Sequence, residues 1–378
     1  MRKFILVLVI IIALVTGGYL AWSASGRARP PAAVNLHIEE IRSIGADQGH
    51  GNVVGIQPYM FPYDYATKAD FRTKLAGYMD QAKQAGFLND NTVVLFPEYL
   101  GAWLVVVGEK TSVYTADKVD PAMTTMVLSN LGRFLRTFVT APDVADKLKY
   151  SLFRFKAEQM AEAYQDAFSW LAKEYRVHII AGSILLPEPQ VLNGKLVAGS
   201  GQLYNVTAIF NPDGTIRPEL VKKVYPIGAE LPFIACGRDS DIPVFDLPIG
   251  KTAVLICADS WYPGPYKAIE SKGAQFIAVP SYLSPDNITS QPWRGYDGHN
   301  TPKDVDPNDV KRLTESQAWL KYSLNGRIKS VTAQNGFNVF LRGQLWDLGS
   351  DGYSIIVKDG QLETGRRIDG ASIVNVWQ

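Results

Sequence analysis

The feature that most restricts the fold of this 378-residue chain is an apolar segment that ends in a cysteine. Residues 252–256 are followed directly by Cys257 and then by Ala258, Asp259 and Ser260. A continuous apolar run of this length predicts a strand buried on both faces. Catalytic groups in layered α/β folds lie at the ends of such strands, because the strand fixes the backbone and the following loop leaves room for a ligand. Cys257 is therefore either a nucleophile or an ordinary buried thiol.

Two further stretches place reactive side chains in similar settings. Residues 92–96 form a second apolar run, which Glu98 follows after one proline. A carboxylate at the end of a buried strand is costly unless it is paired or used, and burial raises its pKa toward that of a general base. The third stretch, residues 220–233, contains Lys223 and Glu230 among apolar residues. A base, a cation beside the developing oxyanion and a thiol nucleophile can together make an acyl-transfer site.

These three stretches carry the motifs by which the chain resembles the nitrilase, or carbon-nitrogen hydrolase, superfamily. Its members have an apolar strand ending in F-P-E, a lysine followed by an aromatic residue or His and by Leu or Pro, and the motif C-x-D-x-x-[FY]-P. The matching segments here are Phe96-Pro97-Glu98, Lys223-Val224-Tyr225-Pro226 and Cys257-Ala258-Asp259-Ser260-Trp261-Tyr262-Pro263. Each motif alone is weak, but the three in this order are specific, and the resemblance extends over roughly residues 52–377.

The resemblance implies a mechanism and a role for each motif residue. Glu98 takes the proton of the Cys257 thiol, and the thiolate attacks an amide carbonyl or a nitrile carbon to form a thioester. Lys223 and the backbone N–H of Ala258 stabilise the tetrahedral species. Glu230 is expected to orient Lys223 or the attacking water.

The lysine of the site and its pocket are further expectations. Lys222 competes with Lys223, but adjacent strand residues point to opposite faces, so only one of them can enter the site. Tyr99, Trp261 and Tyr262 stand next to the motif residues and are expected to line the substrate pocket.

Three functions fit these residues. The first is hydrolysis of a non-peptide carbon-nitrogen bond in a small amide, or in a nitrile. The second is an acyltransferase that uses the same triad with an acceptor other than water. Apolipoprotein N-acyltransferase has a related catalytic domain, although that family has a multi-helix membrane portion that this chain lacks. The third is a catalytically silent binding protein, which predicts no thiol reactivity at Cys257.

Outside the motifs the sequence predicts alternating strands and helices, including a late helix over residues 310–335. Two sheets, each covered outside by helices, give a four-layer α-β-β-α sandwich, which the resemblance also implies. Residues 103–160 form an insertion in which apolar residues at helical spacing alternate with arginines and lysines. This insertion is either a helical lid with a solvated basic face or a surface that lies on a membrane.

The N-terminus carries an apolar run, residues 4–22, of about 19 residues, long enough to span a bilayer as a helix. Arg2 and Lys3 favour a cytoplasmic N-terminus, which sends the rest of the chain to the periplasm or cell surface. A cleaved signal peptide is the alternative, since small residues follow the run, and the protein would then be secreted. The expected organisation is an anchor or signal segment over residues 1–23, a linker over 24–50 that contains Pro30-Pro31, and a hydrolase domain over 51–378.

Composition restricts the partners. The formal net charge of +1 gives no reason to expect nucleic acid binding. The four histidines are scattered, so neither a metal nor another cofactor is predicted. A disulfide between Cys236 and Cys257 would consume the proposed nucleophile, so both are expected to be free, with Cys236 buried. The predicted partners are a small amide or nitrile, the membrane and, as a further option, a second copy of the chain.

Overall fold

The computed structural model describes residues 1–28 and 34–378. The helices are α1 (Arg2–Ala24), α2 (Lys68–Gln84), α3 (Thr111–Tyr114), α4 (Val119–Ser129), α5 (Leu131–Val139), α6 (Lys147–Tyr175), α7 (Pro263–Glu270), α8 (Glu315–Tyr322) and α9 (Leu324–Arg327). The strands are β1 (Ile38–Ile44), β2 (Asn52–Gln57), β3 (Tyr59–Met60), β4 (Thr92–Leu95), β5 (His178–Pro187), β6 (Gln190–Leu192), β7 (Lys195–Val197), β8 (Leu203–Phe210), β9 (Val221–Lys222), β10 (Val244–Leu247), β11 (Gly250–Val254), β12 (Phe276–Ser281), β13 (Asn335–Phe340), β14 (Arg342–Gly343), β15 (Ile355–Lys358), β16 (Gln361–Thr364) and β17 (Ala371–Trp377).

Two large mixed sheets organise the chain. The first has the strand order β1-β17-β2-β4-β5-β8-β9, and the second has the order β10-β11-β12-β13-β15-β16. Strands β2, β4 and β5 run parallel in the first sheet, and β11, β12 and β13 run parallel in the second. In open α/β sheets, ligand sites lie outside the carboxyl ends of such parallel strands. Glu98 and Cys257 both follow strands of these two groups.

The sheets pack face to face between helices. Helices α2 and α6 bury the outer face of the first sheet through Phe71, Leu75, Tyr164, Phe168 and Leu171. The inner faces meet through Val53, Val93, Leu95, Ile180, Val254, Ile256, Ala278, Phe337 and Val339. Helices α7 and α9 cover the second sheet through Tyr266, Ile269 and Leu324. Fully burying one such large side chain stabilises the fold by about 1.5–3 kcal/mol. The hydrophobic core is therefore formed by the contacts between the two sheets and between each sheet and its helices.

Glycine permits close approach of the two sheets at one point. A Cβ built on Gly55 of β2 would lie 2.3 Å from the Cζ atom of Phe337 on β13. Any side chain at position 55 would therefore push the ring of Phe337 out of the layer between the sheets. This contact fixes the spacing of the sheets near the strands that carry the candidate site.

The insertion predicted over residues 103–160 is helical. It contains α3, α4, α5 and the first half of α6, a 29-residue helix that continues to Tyr175. Asp146 caps α6 by accepting a hydrogen bond from the backbone N–H of Lys149 at 2.9 Å. Apolar side chains of the insertion remain exposed at Leu128, Leu131, Leu135, Val139 and Leu148. An exposed apolar row of this kind is typical of an interaction surface.

Helix α1 is long and apolar enough to cross a membrane, and all of its apolar side chains are exposed. A membrane anchor and a signal segment would both have this form. Its last turn contacts the insertion, since Ser23 donates to the carbonyl of Ser129 at 2.6 Å. The predicted Pro30-Pro31 tether lies outside the described residues.

A buried ion cluster joins the segment after α1 to the insertion. Glu109 is 1% exposed. Its carboxylate forms ion pairs with Nζ of Lys156 at 2.8 Å and with the guanidinium of Arg27 at 3.1 Å. Asn130 also donates to Glu109 at 2.9 Å. Separating a buried ion pair leaves one charge buried without a partner, which is costly. The cluster therefore holds the end of α1 against α4 and α6.

Two predictions of local structure are wrong. The late helix predicted over residues 310–335 is shorter and broken, since α8 begins at Glu315, α9 ends at Arg327, and Asn335 already belongs to β13. Ser323 interrupts it with a non-helical conformation of φ −105° and ψ −144°. Cys236 is exposed rather than buried, although both cysteines are free as predicted. The backbone next to Cys236 is hydrogen-bonded to the segment after β9, since the N–H of Gly237 donates to the carbonyl of Lys223 at 2.8 Å.

Candidate active site

Glu98 lies just beyond the carboxyl end of β4 and is 1% exposed. A bulge in the neighbouring strand β5 accommodates its loop. There Gly182 has φ +71°, and a Cβ at this position would lie 2.2 Å from the carbonyl oxygen of Pro97. Ser183 then donates its backbone N–H to the same carbonyl at 3.3 Å. The bulge therefore fixes the backbone that carries the Glu98 carboxylate.

Cys257 lies beyond the carboxyl end of β11, on the opposite sheet from Glu98. Its backbone is in the left-handed region with φ 50°, which is uncommon for a non-glycine residue and often occurs at functional sites. The thiol points to the carbonyl oxygen of Tyr282 at 3.9 Å. Burial and the charge of the neighbouring Glu98 both raise its pKa. The sharp turn thus presents the sulfur between the two sheets, facing the carboxylate.

Lys223 follows the last residue of β9 and is fully enclosed. Its Nζ donates to Oε1 of Glu98 at 2.8 Å and to Oε2 of Glu230 at 2.6 Å. The side chain of Lys222 points the other way, with its ammonium 4.1 Å from the centroid of the Tyr204 ring. The strand therefore directs Lys223, and not Lys222, to the site.

Glu230 lies at the centre of a positioning network. Its Oε2 accepts a hydrogen bond from the backbone N–H of Ile227 at 2.8 Å, in addition to that from Lys223. Its Oε1 accepts from the hydroxyl of Tyr99 and from Nδ2 of Asn205, the latter at 3.2 Å. Because every contact of this carboxylate is a donor, the network favours ionised Glu230 as a fixed counter-charge to Lys223.

The two glutamates have pKa values displaced in opposite directions. Burial raises the pKa of Glu98, against the attraction of Lys223 and with the repulsion of Glu230. Burial also acts on Glu230, but Lys223 and the hydrogen bonds outweigh it and lower the pKa of that carboxyl. The opposite shifts make Glu98 the candidate base and Glu230 the candidate permanent anion.

Lys223 and Cys257 keep their protons near neutral pH. Burial lowers the pKa of Lys223, but the charges of Glu230 and Glu98 outweigh burial and raise that pKa well above its ordinary value. Burial raises the pKa of the Cys257 thiol, and Glu98 adds to the rise. The resting site therefore holds a neutral thiol beside a carboxylate of raised pKa, which is the arrangement that general-base catalysis requires.

Asp259 joins the lysine segment to the cysteine turn. Its Oδ1 accepts the backbone N–H groups of Val224 at 2.9 Å and Tyr225 at 2.7 Å. Its Oδ2 accepts the N–H of Ile256 at 3.2 Å, one residue before the nucleophile. Burial raises the pKa of Asp259 to about 7, against these three donors. The Asp of the C-x-D motif thus holds together the backbones that carry Lys223 and Cys257.

Two groups of the site were missed from the sequence. Asn205 donates through Nδ2 to Glu98 at 2.9 Å and lies directly opposite Lys223, whose N–H donates to its carbonyl at 2.8 Å. The signal for Asn205 was an amide inside an otherwise apolar buried strand. Tyr282 acts through its backbone, donating its N–H to Glu98 at 3.2 Å, and such a role leaves no signal in the sequence.

The expected pocket residues separate into two groups. Tyr99 lines a cavity of about 540 Å³ and has φ 62°, a second strained residue beside the site. Trp261 lies in an aromatic cluster, with its ring centroid 4.9 Å from that of Trp319. Tyr262 stacks on Tyr225 with centroids 3.9 Å apart. In the described part of the chain, neither Trp261 nor Tyr262 is among the residues that line this cavity.

Comparison with known sequences decides the family. The carbon-nitrogen hydrolase family model matches residues 67–298, which is more than half of the chain. The chain belongs to the carbon-nitrogen hydrolase family. The predicted superfamily is confirmed. Among curated relatives, a probable hydrolase of Bacillus subtilis is 31% identical over 122 residues, covering 32% of this chain and 21% of the relative. An omega-amidase of Xenopus laevis is 30% identical over 145 residues, covering 36% of this chain and 46% of the relative.

The carbon-nitrogen hydrolase fold is confirmed by solved structures. An amidase variant from Nesterenkonia sp. AN1, with the acetamide moiety of fluoroacetamide added covalently at its active-site cysteine, gives a TM-score of 0.53 at 15% identity. The match covers 88% of this chain and 93% of the amidase. A double mutant of the same amidase in complex with acrylamide gives a TM-score of 0.51 at 13% identity, covering 87% and 92% of the two chains. The predicted four-layer fold class is therefore correct.

Proposed function

We propose that this carbon-nitrogen hydrolase cleaves an amide bond through a thioester on Cys257, with Glu98 as base and Lys223 as the oxyanion-stabilising cation. The observation that carries the proposal is the convergence of a thiol, a carboxylate of raised pKa and an ammonium group in one buried site between the two sheets. A nitrile carbon could be attacked by the same thiol, so nitriles belong to the substrates to be tested.

Acylation begins with transfer of the thiol proton from Cys257 to Glu98 as the sulfur attacks the carbonyl carbon. The negative charge that develops on the carbonyl oxygen is stabilised by Lys223, and the backbone N–H of Ala258 is the second donor we assign. The C–N bond then breaks, and Glu98 returns its proton to the leaving amine. The product of this half-reaction is the free amine and a thioester on Cys257.

Deacylation uses the same groups in reverse. Glu98 removes a proton from water, the resulting hydroxide attacks the thioester carbonyl, and the C–S bond breaks. Glu98 then returns the proton to the sulfur, so the carboxylic acid leaves and the thiol is restored. Glu230 stays ionised throughout and holds Lys223 in place, because its network of donors favours the anion. Glu230 is therefore a positioning residue.

The proposal is tested by incubating the purified protein with a panel of amides and nitriles and measuring its intact mass. We expect turnover of at least one amide and an acyl adduct that hydroxylamine removes, located on Cys257 by peptide mapping. The Cys236→Ala protein is the matched control, because it removes the exposed thiol and keeps the buried one. An adduct that maps only to Cys236, or none with any compound, would contradict the assignment.

Transfer to an amine instead of water is the second candidate function. It is favoured by the apolar cavity beside the site, whose walls disfavour bulk water near the thioester. Both functions share the acylation step, so they differ in the acceptor alone. Adding a primary amine during turnover separates them, since a transferase forms a new amide faster than the free acid.

The pH dependence of the reaction follows from Glu98. The base must be ionised, and burial raises its pKa above the ordinary value of 4.5, so kcat/KM is lost as the pH falls through that raised value. We expect an acid limb with a midpoint above 4.5 and a drop of about tenfold per pH unit below it. A pH profile of kcat/KM at constant ionic strength measures the midpoint. A midpoint at or below 4.5 would remove Glu98 from the role of base.

We infer that α1 is an uncleaved anchor with the hydrolase domain on the extracytoplasmic side. The full-length protein should stay with the membrane fraction through a high-salt wash and be released by detergent, because burial of 23 largely apolar residues outweighs screened charge attraction. Fractionation measures whether the protein stays with the membrane, and N-terminal sequencing measures whether the segment is cleaved. A soluble mature form that starts near Ala24 would show that the segment is a signal peptide.

A further inference from the structure

We propose that the cavity beside Tyr99 binds the hydrocarbon chain of an amide drawn from the membrane, so that the substrate class is a long-chain fatty amide. This inference rests on the proposed amide hydrolysis and specifies its substrate. It is carried by three observations: the apolar lining of the cavity, its contact with Tyr99, which is hydrogen-bonded to Glu230, and the position of its mouth relative to α1.

The cavity is large and apolar. Its volume of about 540 Å³ falls within the range of pockets that enclose drug-sized ligands. Its walls come mainly from the insertion helices and include Val119, Met123, Val127, Leu152 and Phe153. A space of this composition favours an alkyl chain, because each methylene that leaves water gains about 0.8 kcal/mol in transfer.

Tyr99 separates the cavity from the reacting groups. One side of this residue lines the cavity, and its hydroxyl donates to Glu230 in the positioning network. Its ring lies 5.9 Å from that of Tyr282, whose carbonyl oxygen is the thiol's acceptor. Phe233 also lines the cavity, and its backbone N–H donates to the carbonyl of Glu230. A chain in the cavity therefore ends beside Tyr99, and in the proposed complex its carboxamide is directed past this residue toward Cys257.

The mouth of the cavity lies where the insertion is most exposed. Two of its lining residues, Leu128 and Leu148, are 48% and 62% exposed, so they mark the opening. On α5, the exposed Leu131, Leu135 and Val139 continue this apolar edge. An exposed apolar rim around an apolar cavity is unfavourable in water but stable when it contacts lipid.

Helix α1 ends at the same rim. The hydroxyl of Tyr19 donates to the carbonyl of Leu128 at 3.1 Å and accepts the N–H of Leu131 at 3.1 Å. Trp22 lies one turn further on, and the ammonium of Lys110 is 4.8 Å from its ring centroid. Tyr and Trp at the end of a membrane helix mark the interface with water. The mouth therefore faces the membrane surface that α1 leaves, and a lipid-dissolved amide can enter from the bilayer.

The experiment compares primary amides of increasing length with the full chain in phosphatidylcholine nanodiscs. We expect kcat/KM for ammonia release to rise by about fourfold per buried methylene, and so on the order of a hundredfold from butanamide to octanamide. The same chain-length series is repeated with two cavity-filling variants, Val127→Trp and Thr124→Trp, the second at an exposed lining position that tolerates a large side chain. Both should lose the preference for long chains and keep butanamide hydrolysis.

Val139→Trp is the matched control. Val139 is 81% exposed on α5 and outside the cavity lining, so this variant has the same added ring and the same partitioning of amides into the nanodisc. It should keep the full preference for long chains. Equal loss in Val127→Trp and Val139→Trp would overturn the assignment of the cavity, as would a flat chain-length profile in a protein that hydrolyses butanamide.

Binding separates this inference from the proposed hydrolysis. Dodecanamide should bind the Cys257→Ala protein in nanodiscs, with a Kd that Val127→Trp weakens and Val139→Trp does not. If that pattern holds while no amide is turned over, the cavity assignment stands and the proposed hydrolysis falls. If butanamide is hydrolysed but dodecanamide does not bind, the cavity assignment falls and the hydrolysis stands.

Discussion

Replacing Cys257 with alanine is expected to lower kcat/KM for an accepted amide by about a thousandfold or more, with little change in stability. In the proposed mechanism the sulfur is the atom that bonds to the substrate, and groups that act as a unit fail as a unit. The thiol is buried but small and makes one weak hydrogen bond, to the carbonyl of Tyr282 at 3.9 Å. Steady-state kinetics and thermal unfolding measure the two effects. The Cys236→Ala protein should match the unaltered enzyme in both.

Glu98→Gln tests the same unit from the side of the base. Glutamine keeps the size of the side chain but cannot take a proton, so acylation slows and deacylation slows further. A thioester should then accumulate on Cys257 and appear as added mass that hydroxylamine removes. Ordinary turnover of an amide by the Cys257→Ala protein would refute the nucleophile, and unchanged turnover by Glu98→Gln would refute the base.

The positions of Glu98 and Cys257 at strand ends could be predicted because each follows a buried apolar run. Such runs fix a strand, and a reactive residue directly after the run must lie at its end. The ends of the two strands meet because the two sheets pack face to face. The sequence of either strand carries no information about that packing. The family resemblance supplied that step. Asn205 has a local signal, an amide in an apolar strand, but its partners follow from long-range register. The contact of the Tyr282 backbone with Glu98 has no local signal.

The errors in local structure have a common cause. The break at Ser323 and the exposure of Cys236 depend on where the chain must turn to satisfy neighbours far away in sequence. Local hydrophobic spacing predicts the helix type over residues 310–335 but not its interruption. The insertion shows the opposite case. Its helical spacing is strong, so its helices were predicted, while the cavity that they enclose against Tyr99 emerges only from packing.

Two carboxylates around one ammonium make the site electrostatically one-sided. Lys223 pairs with both Glu98 and Glu230 in a space that excludes water, so the three charges sum to minus one before the substrate arrives. Adding a thiolate there is unfavourable, and burial and Glu98 raise the pKa of Cys257 accordingly. In the proposed mechanism the proton therefore moves to Glu98 as the sulfur attacks. The neutral thiol is protected from adventitious oxidation between turnovers, since the thiolate is the reactive form.

Lys223→Ala is expected to abolish turnover, by about a thousandfold or more in kcat/KM, whereas Lys222→Ala should change it by no more than a fewfold. The two substitutions remove the same atoms from adjacent residues, so they form a matched pair. Lys223 touches both carboxylates of the site, and its loss leaves them buried without a counter-charge. Breaking such a pair costs about 3–5 kcal/mol, so thermal stability should fall as well. Lys222→Ala removes the contact of the ammonium with the ring of Tyr204.

Lys223→Met separates the catalytic effect from the loss of stability. Methionine fills the buried space without supplying a charge, and one glutamate then takes up a proton to relieve the repulsion between the two carboxyls. The folded variant should stay inactive at every pH, because no cation faces the developing oxyanion. Kinetics across the pH range, with circular dichroism of the same samples, measure this. Equal loss of activity in folded Lys222→Ala and Lys223→Ala proteins would mean that the strand presents both lysines to the reaction, and the assignment of Lys223 as the single cation would have to be withdrawn.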